Sequence, residues 1–384
     1  MSTSNGELFD VVVVGAGVAG ASASIGLANR GLRVALVDRR ARCAPCFKAE
    51  KVEPDQADRL RELSLFDGVQ PKLTPIRAIA SAYRGRVLAI TGIEQYGVDY
   101  WELANAIRDL VPDRVEQHAR RVVQIDLSGE RRRAVLDDGS VIEGRIVVLA
   151  NGISPGLAAD LGLHYRDVRR PHSLAFGFDV ELERVPEGCD SLTYYAERIS
   201  TRLDYLTLFP IGARWRANLF SYLDPKSAEA RAILRTPTES MARNFPRLQR
   251  LVGRLAAQDR VEAQKIDLYQ LSGPPRDGLV AIGDACQSVC PATGTGLSKV
   301  LTDVVVLCDH LPDWIATPGM GSEKIAEYYD DPRKRDVDAQ SLDWAEHRRN
   351  FSTRTEPRWR VHRARTWIEM FAAGRRSAPR RGLM

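Results

Sequence analysis

The chain has 384 residues, 44% hydrophobic and 27% charged, with 55 basic against 50 acidic side chains and a formal net charge of +5. These proportions exclude a mainly disordered, collagen-like or coiled-coil chain, and the length suits two interleaved domains. No apolar run approaches the roughly 18 residues that a membrane helix needs. The opening MSTSNGELFD has no basic segment leading into an apolar stretch, so the expectation is a cytoplasmic protein with no membrane attachment.

In chain order, Phe9–Val14 ends in a run of valines, as a buried parallel strand does. Gly15-Ala16-Gly17-Val18-Ala19-Gly20 follows, then a small-residue helix over Ala21–Arg30 closed by Gly31. Arg33–Val37 reads as the next strand, with Asp38 at its end, completing a βαβ unit. Asp55–Leu63 is helical. Ala78–Tyr83 and Val87–Ile90 form a hairpin about Arg84-Gly85-Arg86, and Trp101–Leu110 is helical again. Arg121–Leu127, Arg133–Leu136 and Val141–Leu149 read as a meander turning at Asp137-Asp138-Gly139. A second strand-rich block begins near His172, with strands at Ser173–Glu183, Leu192–Ala196, Tyr205–Phe209 and Arg214–Tyr222. Helices are expected over Pro225–Ala257, a short strand at Leu279–Ile282, a helix from Gly296 to about His310, and a helical C-terminal part.

Two features stand apart from this pattern. Of six cysteines, Cys43 and Cys46 form a CxxC pair with no second pair at zinc spacing, so no metal site is expected. They read as reduced loop cysteines, with a redox pair or a gate near an active site as the alternative. From Asp331 onward there are 13 Arg, one Lys and seven acids, a surplus of seven positive charges, read as a solvated helix face rather than a nucleic-acid site. Arg375–Met384 has few apolar anchors and is expected to be disordered.

The chemistry sits in two motifs. Gly15, Gly17 and Gly20 form GxGxxG between a strand and a helix: the first glycine permits the turn, the second lets phosphates approach the backbone, and the third lets helix and strand pack. Val18 and Ala19 open the helix, whose N-terminal amides favour a pyrophosphate. Asp38 is placed to accept from ribose hydroxyls, and its charge disfavours a 2′-phosphate, leaving NAD or FAD. The second motif is Gly278-Leu279-Val280-Ala281-Ile282-Gly283-Asp284-Ala285, then Pro291-Ala292-Thr293-Gly294-Thr295-Gly296. No HExxH, GxSxG, P-loop, Trp-x-Trp-x-Ile-Pro or second GxGxxG is present.

With both motifs in this order, the chain resembles the FAD-dependent monooxygenases of the para-hydroxybenzoate hydroxylase type, over most of residues 8–310. The resemblance implies an α/β fold: a split Rossmann-like FAD-binding domain (1–72, 100–170 and 275–330) interleaved with a mixed-sheet substrate domain (73–99 and 171–274). Residues 331–384 would form a helical C-terminal part with a basic tail. It implies that Asp284 binds the ribityl chain, that Pro291 lies beside the isoalloxazine, and that the backbone at Gly294, Thr295, Gly296 and Leu297 faces the flavin pyrimidine edge. Arg39 would lie over the adenine, Val123 would touch it through its backbone, and Lys48 would reach the phosphates. Asp284 is expected to matter more for FAD affinity than Asp38, which faces a more open ribose. The chain departs from the family at Asn151-Gly152 for Asp-Gly, at Gln287 for histidine, at Ser298 for asparagine, and at Tyr100-Trp101 where an arginine is usual.

The implied activity is hydroxylation of an aromatic or polycyclic small molecule, with secondary-metabolite tailoring as the expected context. NAD(P)H would reduce FAD, and O2 would add to give a C4a-hydroperoxide. A separate flavin reductase is the other electron source. Tyr194, Tyr205, Arg214 and Trp215 are the expected substrate contacts. The alternatives are a reductase or dehydrogenase on the same fold, similar to prenyl-chain reductases, and a non-enzymatic flavoprotein.

Overall fold

The computed structural model describes residues 8–152 and 155–377. Two sheets organise the chain. The first runs, edge to edge, through Glu116–Ala119, Val34–Asp38, Phe9–Val14, Val141–Leu149, Arg132–Leu136 and Val122–Asp126. Phe9–Val14 lies parallel to both neighbours, with Val11 opposite Val34 and Ile146. Strand Val141–Leu149 is shared: its first half pairs with the antiparallel meander, and its second half with Leu279–Ala281 in parallel. Helices Val18–Asn29 and Gly296–Ala316 cover one face of this sheet, and Leu136, Ile142 and Leu161 belong to the core on the other. Valine repeats at Val11–Val14 suit a strand buried on both sides, because neither face needs polar residues.

The second sheet holds Leu255–Ala257, His164–Leu182, Arg214–Ser221, Leu203–Ile211, Ser191–Tyr195, Thr74–Tyr83, Arg86–Gly97 and Lys51–Val52, and Glu262–Ser272 also pairs with His164–Leu182. Helices Ala228–Arg235, Pro237–Asn244 and Gln249–Val252 pack on its outer face through Ile233, Met241, Phe245 and Val252. Its inner face looks toward the first sheet across a cavity. The fold is therefore α/β with mixed sheets and a helical C-terminal part.

Four details differ from the expectation. Glu262–Ser272 is an 11-residue strand that the expectation did not include; its first four residues, Glu262-Ala263-Gln264-Lys265, are mostly polar, and its apolar residues come only after them. Leu255–Ala257 is a strand, not helix. Lys51–Val52 and Glu116–Ala119 are short strands whose pairing partners lie far along the chain. The last helix, Pro357–Ser377, includes the start of the segment expected to be disordered; residues 378–384 of that segment lie outside the described residues. Among the described residues no helix is long and apolar enough to cross a membrane, and no cluster of metal-binding side chains occurs.

Candidate active site

A cavity of about 1300 Å3 lies between the sheets. One end is built by the first glycine motif. Gly15 has φ +105°, and a Cβ there would lie 2.5 Å from Ala150 O; a Cβ on Gly20 would lie 1.8 Å from Gly15 O. Both positions demand glycine for packing. Gly17 differs: its Cβ would meet only Tyr100 Oη, at 3.4 Å, so the space beside it belongs to the cavity. Gly17 caps helix Val18–Asn29 without a side-chain bond, so its first turn, with Val18 and Ala19, opens on the cavity, and the Tyr100 hydroxyl lies at the Val18 amide.

Asp38 braces this loop. Its carboxylate accepts from Ala16 N at 2.7 Å and Arg40 N at 2.9 Å, and pairs with Arg108 Nη2 at 3.2 Å. Arg108 is buried and also donates to Ala16 O and Arg40 O. The sequence offers no signal for Arg108, which reads as an ordinary charged residue ending helix Tyr100–Asp109. Arg39 and Val123 also line this end, both exposed. Lys48 Nζ stands 3.8 Å from Asp284 Oδ2 and 5.2 Å from the Tyr100 ring centre, so Tyr100 and Lys48 line the cavity together beside Asp284.

The second glycine motif closes the far side. Asp284 lies in the turn Gly283–Ala285, and Pro291, Gly294, Gly296 and Leu297 line the cavity at the N-terminus of helix Gly296–Ala316. The Thr295 side chain is buried, its hydroxyl bonding Thr293 Oγ1 at 2.7 Å, which leaves only its backbone for the expected role. Gln56, unforeseen, donates to Gly294 O at 2.8 Å and Ser298 Oγ at 3.0 Å, tying helix Pro54–Glu62 to this turn. Behind the turn lies a buried quartet. Asp303 accepts from Gly283 N at 2.7 Å and Lys299 at 2.8 Å, and Lys334 reaches Asp303 at 3.0 Å and Asp338 at 2.7 Å. Gln287 donates to Asp338 O at 2.9 Å, so the departure from histidine joins this anchor.

The opposite wall comes from the second sheet. Thr193, Tyr195, Tyr205, Thr207, Asn218 and Phe220 face the cavity. Alternation then decides the neighbours. Tyr194 points to the outer face, where its hydroxyl donates to Glu197 at 2.8 Å, and Trp215 packs on the same outer core. Arg214 pairs with Asp99 and Asp179 and does not line the cavity. Of the four expected substrate contacts only Tyr205 does; Tyr194, Arg214 and Trp215 are corrected. Tyr205 sits 5.9 Å from Tyr195 and 4.8 Å from Phe220, centre to centre, and its hydroxyl donates to Ala292 O at 2.8 Å. Burial holds its phenol well above the usual range.

Helix Pro332–Thr353 adds Trp344, His347 and Arg348, which sequence reasoning missed because the resemblance ends before them. Arg348 pairs with buried Asp204 and lies 4.9 Å over the Tyr205 ring. The loop after Asp38 supplies Cys43, Cys46, Phe47 and Glu50. Cys46 hydrogen-bonds Cys43 and, with the charges of Arg108 and Lys48, lowers the Cys43 thiol to about 6. Burial pushes Glu50 up to about 7, although both its oxygens accept from Arg216 at 2.8 Å.

The donor set fits a flavin dinucleotide. Two helix N-termini open on one cavity, Gly17 leaves room at the first, and Asn151 Nδ2 is a buried donor without a partner among the described residues. The FAD binding domain family matches residues 9–345, and the chain belongs to that family; its cofactor is FAD. It is 25% identical to the FAD-dependent urate hydroxylase of Klebsiella oxytoca, over 78% of this chain and 80% of that one. It is 26% identical to digeranylgeranylglycerophospholipid reductase 2 of Methanopyrus kandleri, over 76% and 74%. Its fold is that of the p-nitrophenol 4-monooxygenase of Pseudomonas putida, with a TM-score of 0.77 at 18% identity over 96% of this chain and 94% of that one.

Proposed function

We propose that the protein is an FAD-dependent monooxygenase that hydroxylates a planar aromatic or polycyclic small molecule. The observation that carries this is the platform of Tyr195, Tyr205 and Phe220 on the wall facing the Gly294–Leu297 turn. The cavity, about 1300 Å3, exceeds the roughly 300–1,000 Å3 of a pocket for one ligand, so cofactor and substrate share it. Relatives named as urate and salicylate hydroxylases support the same class of substrate.

Bound FAD would supply electron transfer and oxygen activation. The protein's part is to bind, orient and exclude water. Gly15, Gly17, Gly20 and the amides at Val18 and Ala19 hold the pyrophosphate, with Lys48 beside it, Arg39 and Val123 at the adenine and Asp38 at its ribose. Asp284 holds the ribityl chain. Pro291 and the backbone at Gly294–Leu297 meet the ring, where helix amides stabilise negative charge. The three aromatic rings stack the substrate and keep it dry. NAD(P)H is the electron donor we favour over a separate reductase.

The test is oxygen uptake with NADH or NADPH and a panel of phenols. Substrate-dependent uptake with a product one oxygen heavier is expected. The reductase-named relatives motivate a second reading: a product two hydrogens heavier without net oxygen use would favour it and sink the hydroxylase.

A further inference from the structure

A second cavity, of about 430 Å3, lies beyond Tyr195, which lines both. Its walls come from the hairpin turn at Arg84, the turn around Arg198, and helix Pro357–Ser377. Arg84, Arg198, Arg360 and Arg363 all line it, with Trp367 among the apolar residues between them. None of the four makes an ion pair among the described residues. Arg198 reaches the carbonyl of Arg243 at 3.0 Å, and Arg84 lies 5.2 Å over the Tyr83 ring.

Arg363 is the telling group. It is 9% exposed, and its Nη1 donates to Phe351 O at 2.7 Å. Its Nη2 is buried with no partner among the described residues. A buried guanidinium donor without an acceptor is costly, because water has been removed and nothing replaces it. Burial weakens its hold on the proton, and the charge of Arg360 acts in the same direction.

The two acids in the cavity wall do not relieve this. Glu197 accepts from Tyr194, Arg247 N and Arg247 Nη1, and Asp204 accepts from Arg348, Ser352 and Tyr222. Their cations, Arg247 and Arg348, stand outside this cavity. The surplus positive charge of the C-terminal segment therefore has a location: part of it converges on a half-open cleft with an unmet donor.

We propose that this cavity binds an oxyanion, a carboxylate or phosphate, on an otherwise apolar body. Planar guanidinium groups match either anion by paired N–H donors. The anion is either the tail of the molecule stacked on Tyr195 or a separate ligand.

The test uses the FAD-saturated protein and no turnover, so its failure leaves the hydroxylase reading standing. Calorimetric titration with inorganic phosphate is compared with potassium chloride at equal ionic strength. A saturable isotherm specific to phosphate is expected, weakened at least tenfold in Arg360→Gln. The Arg360 side chain is exposed and makes no described hydrogen bond or ion pair, so that variant keeps the fold; Arg363→Gln is the second variant, checked by FAD content. Absence of saturable phosphate binding, or an isotherm unchanged in both variants, overturns the proposal. The source is read from flavin absorbance with 4-hydroxyphenylacetate and 4-methylphenol. Tighter binding of the acid that vanishes in Arg360→Gln assigns the anion to the substrate tail. Phosphate binding without that preference assigns it to a separate ligand.

Discussion

Gly17 and Gly20 stand three residues apart in one motif yet carry different constraints. A Cβ on Gly20 would meet Gly15 O at 1.8 Å, so Gly20→Ala should cost about 1–3 kcal/mol of folding stability through overpacking. Gly17 has ordinary backbone angles and free space beside it, so Gly17→Ala should fold normally but lose FAD affinity at least tenfold. Thermal melts of apoprotein and FAD titration separate the two effects, and equal melting losses would contradict this assignment. The acids reverse their expected order. Asp284 is partly exposed and its described side-chain contact is the 3.8 Å approach of Lys48, whereas Asp38 braces two backbone amides and the buried Arg108. Asp38→Ala should therefore destabilise the protein by about 1–3 kcal/mol and weaken FAD more than Asp284→Ala does. Cys43 carries a third prediction. With its thiol lowered to about 6, iodoacetamide should alkylate Cys43 before the other cysteines at pH 7, with a rate that falls as pH drops through about 6. Peptide mass mapping reads this, and a rate that rises only above pH 8 would refute it.

At the scale of elements, strand His164–Leu182 holds the clearest pH dependence. His172 is 1% exposed, its two ring nitrogens lack partners among the described residues, and Tyr222 lies edge-on at 5.7 Å. Burial, with Arg349 and Arg169 adding to it, lowers its pKa from 6.5 to about 3. The unfolded chain therefore binds a proton that the folded chain refuses. The stability conferred by neutral His172 is complete above about pH 6.5 and drains away as pH falls toward 3. His172→Phe should flatten the loss of melting temperature between pH 7 and 4. An unchanged slope would show that other groups control acid unfolding. The helices around the flavin end are joined differently. Lys299 and Lys334 with Asp303 and Asp338 form two cations and two anions, buried together, that bind helix Pro332–Thr353 to helix Gly296–Ala316. Removing one member would leave an uncompensated charge.

For the whole molecule, the division of labour is spatial. The described cavity-lining residues of the flavin cavity end with Arg348, before helix Pro357–Ser377, which packs on strand Arg86–Gly97 and helix Pro332–Thr353 and touches the cavity wall only from behind, where Trp367 meets the Tyr83 ring at 4.6 Å and the Tyr195 ring at 4.9 Å. Truncation after Arg354 should thus leave FAD content near that of the full chain. It should also lower the melting temperature and weaken phosphate binding, since Arg360 and Arg363 are lost. Flavin absorbance per protein and differential scanning calorimetry check this; a colourless truncation product would show that the last helix supports the cofactor site.

The βαβ unit, the Asp38 terminus and the Gly283–Gly296 stretch were legible in the sequence because their determinants are local. A valine run, spaced glycines and an acid at a strand end state their conformation within about one element's length. The family and the α/β class follow from those motifs alone. What only the tertiary structure decided depends on which face of an element is covered, and by what. Tyr194 and Tyr195 are adjacent aromatic residues of the same type, and which of them meets the cavity depends on which face of the sheet the helices Ala228–Arg235, Pro237–Asn244 and Gln249–Val252 cover. Arg108 acts on Ala16, 92 residues away, and Arg348 on Asp204, 144 residues away. Such charges look like surface residues until folding removes water from around them and leaves one partner within reach.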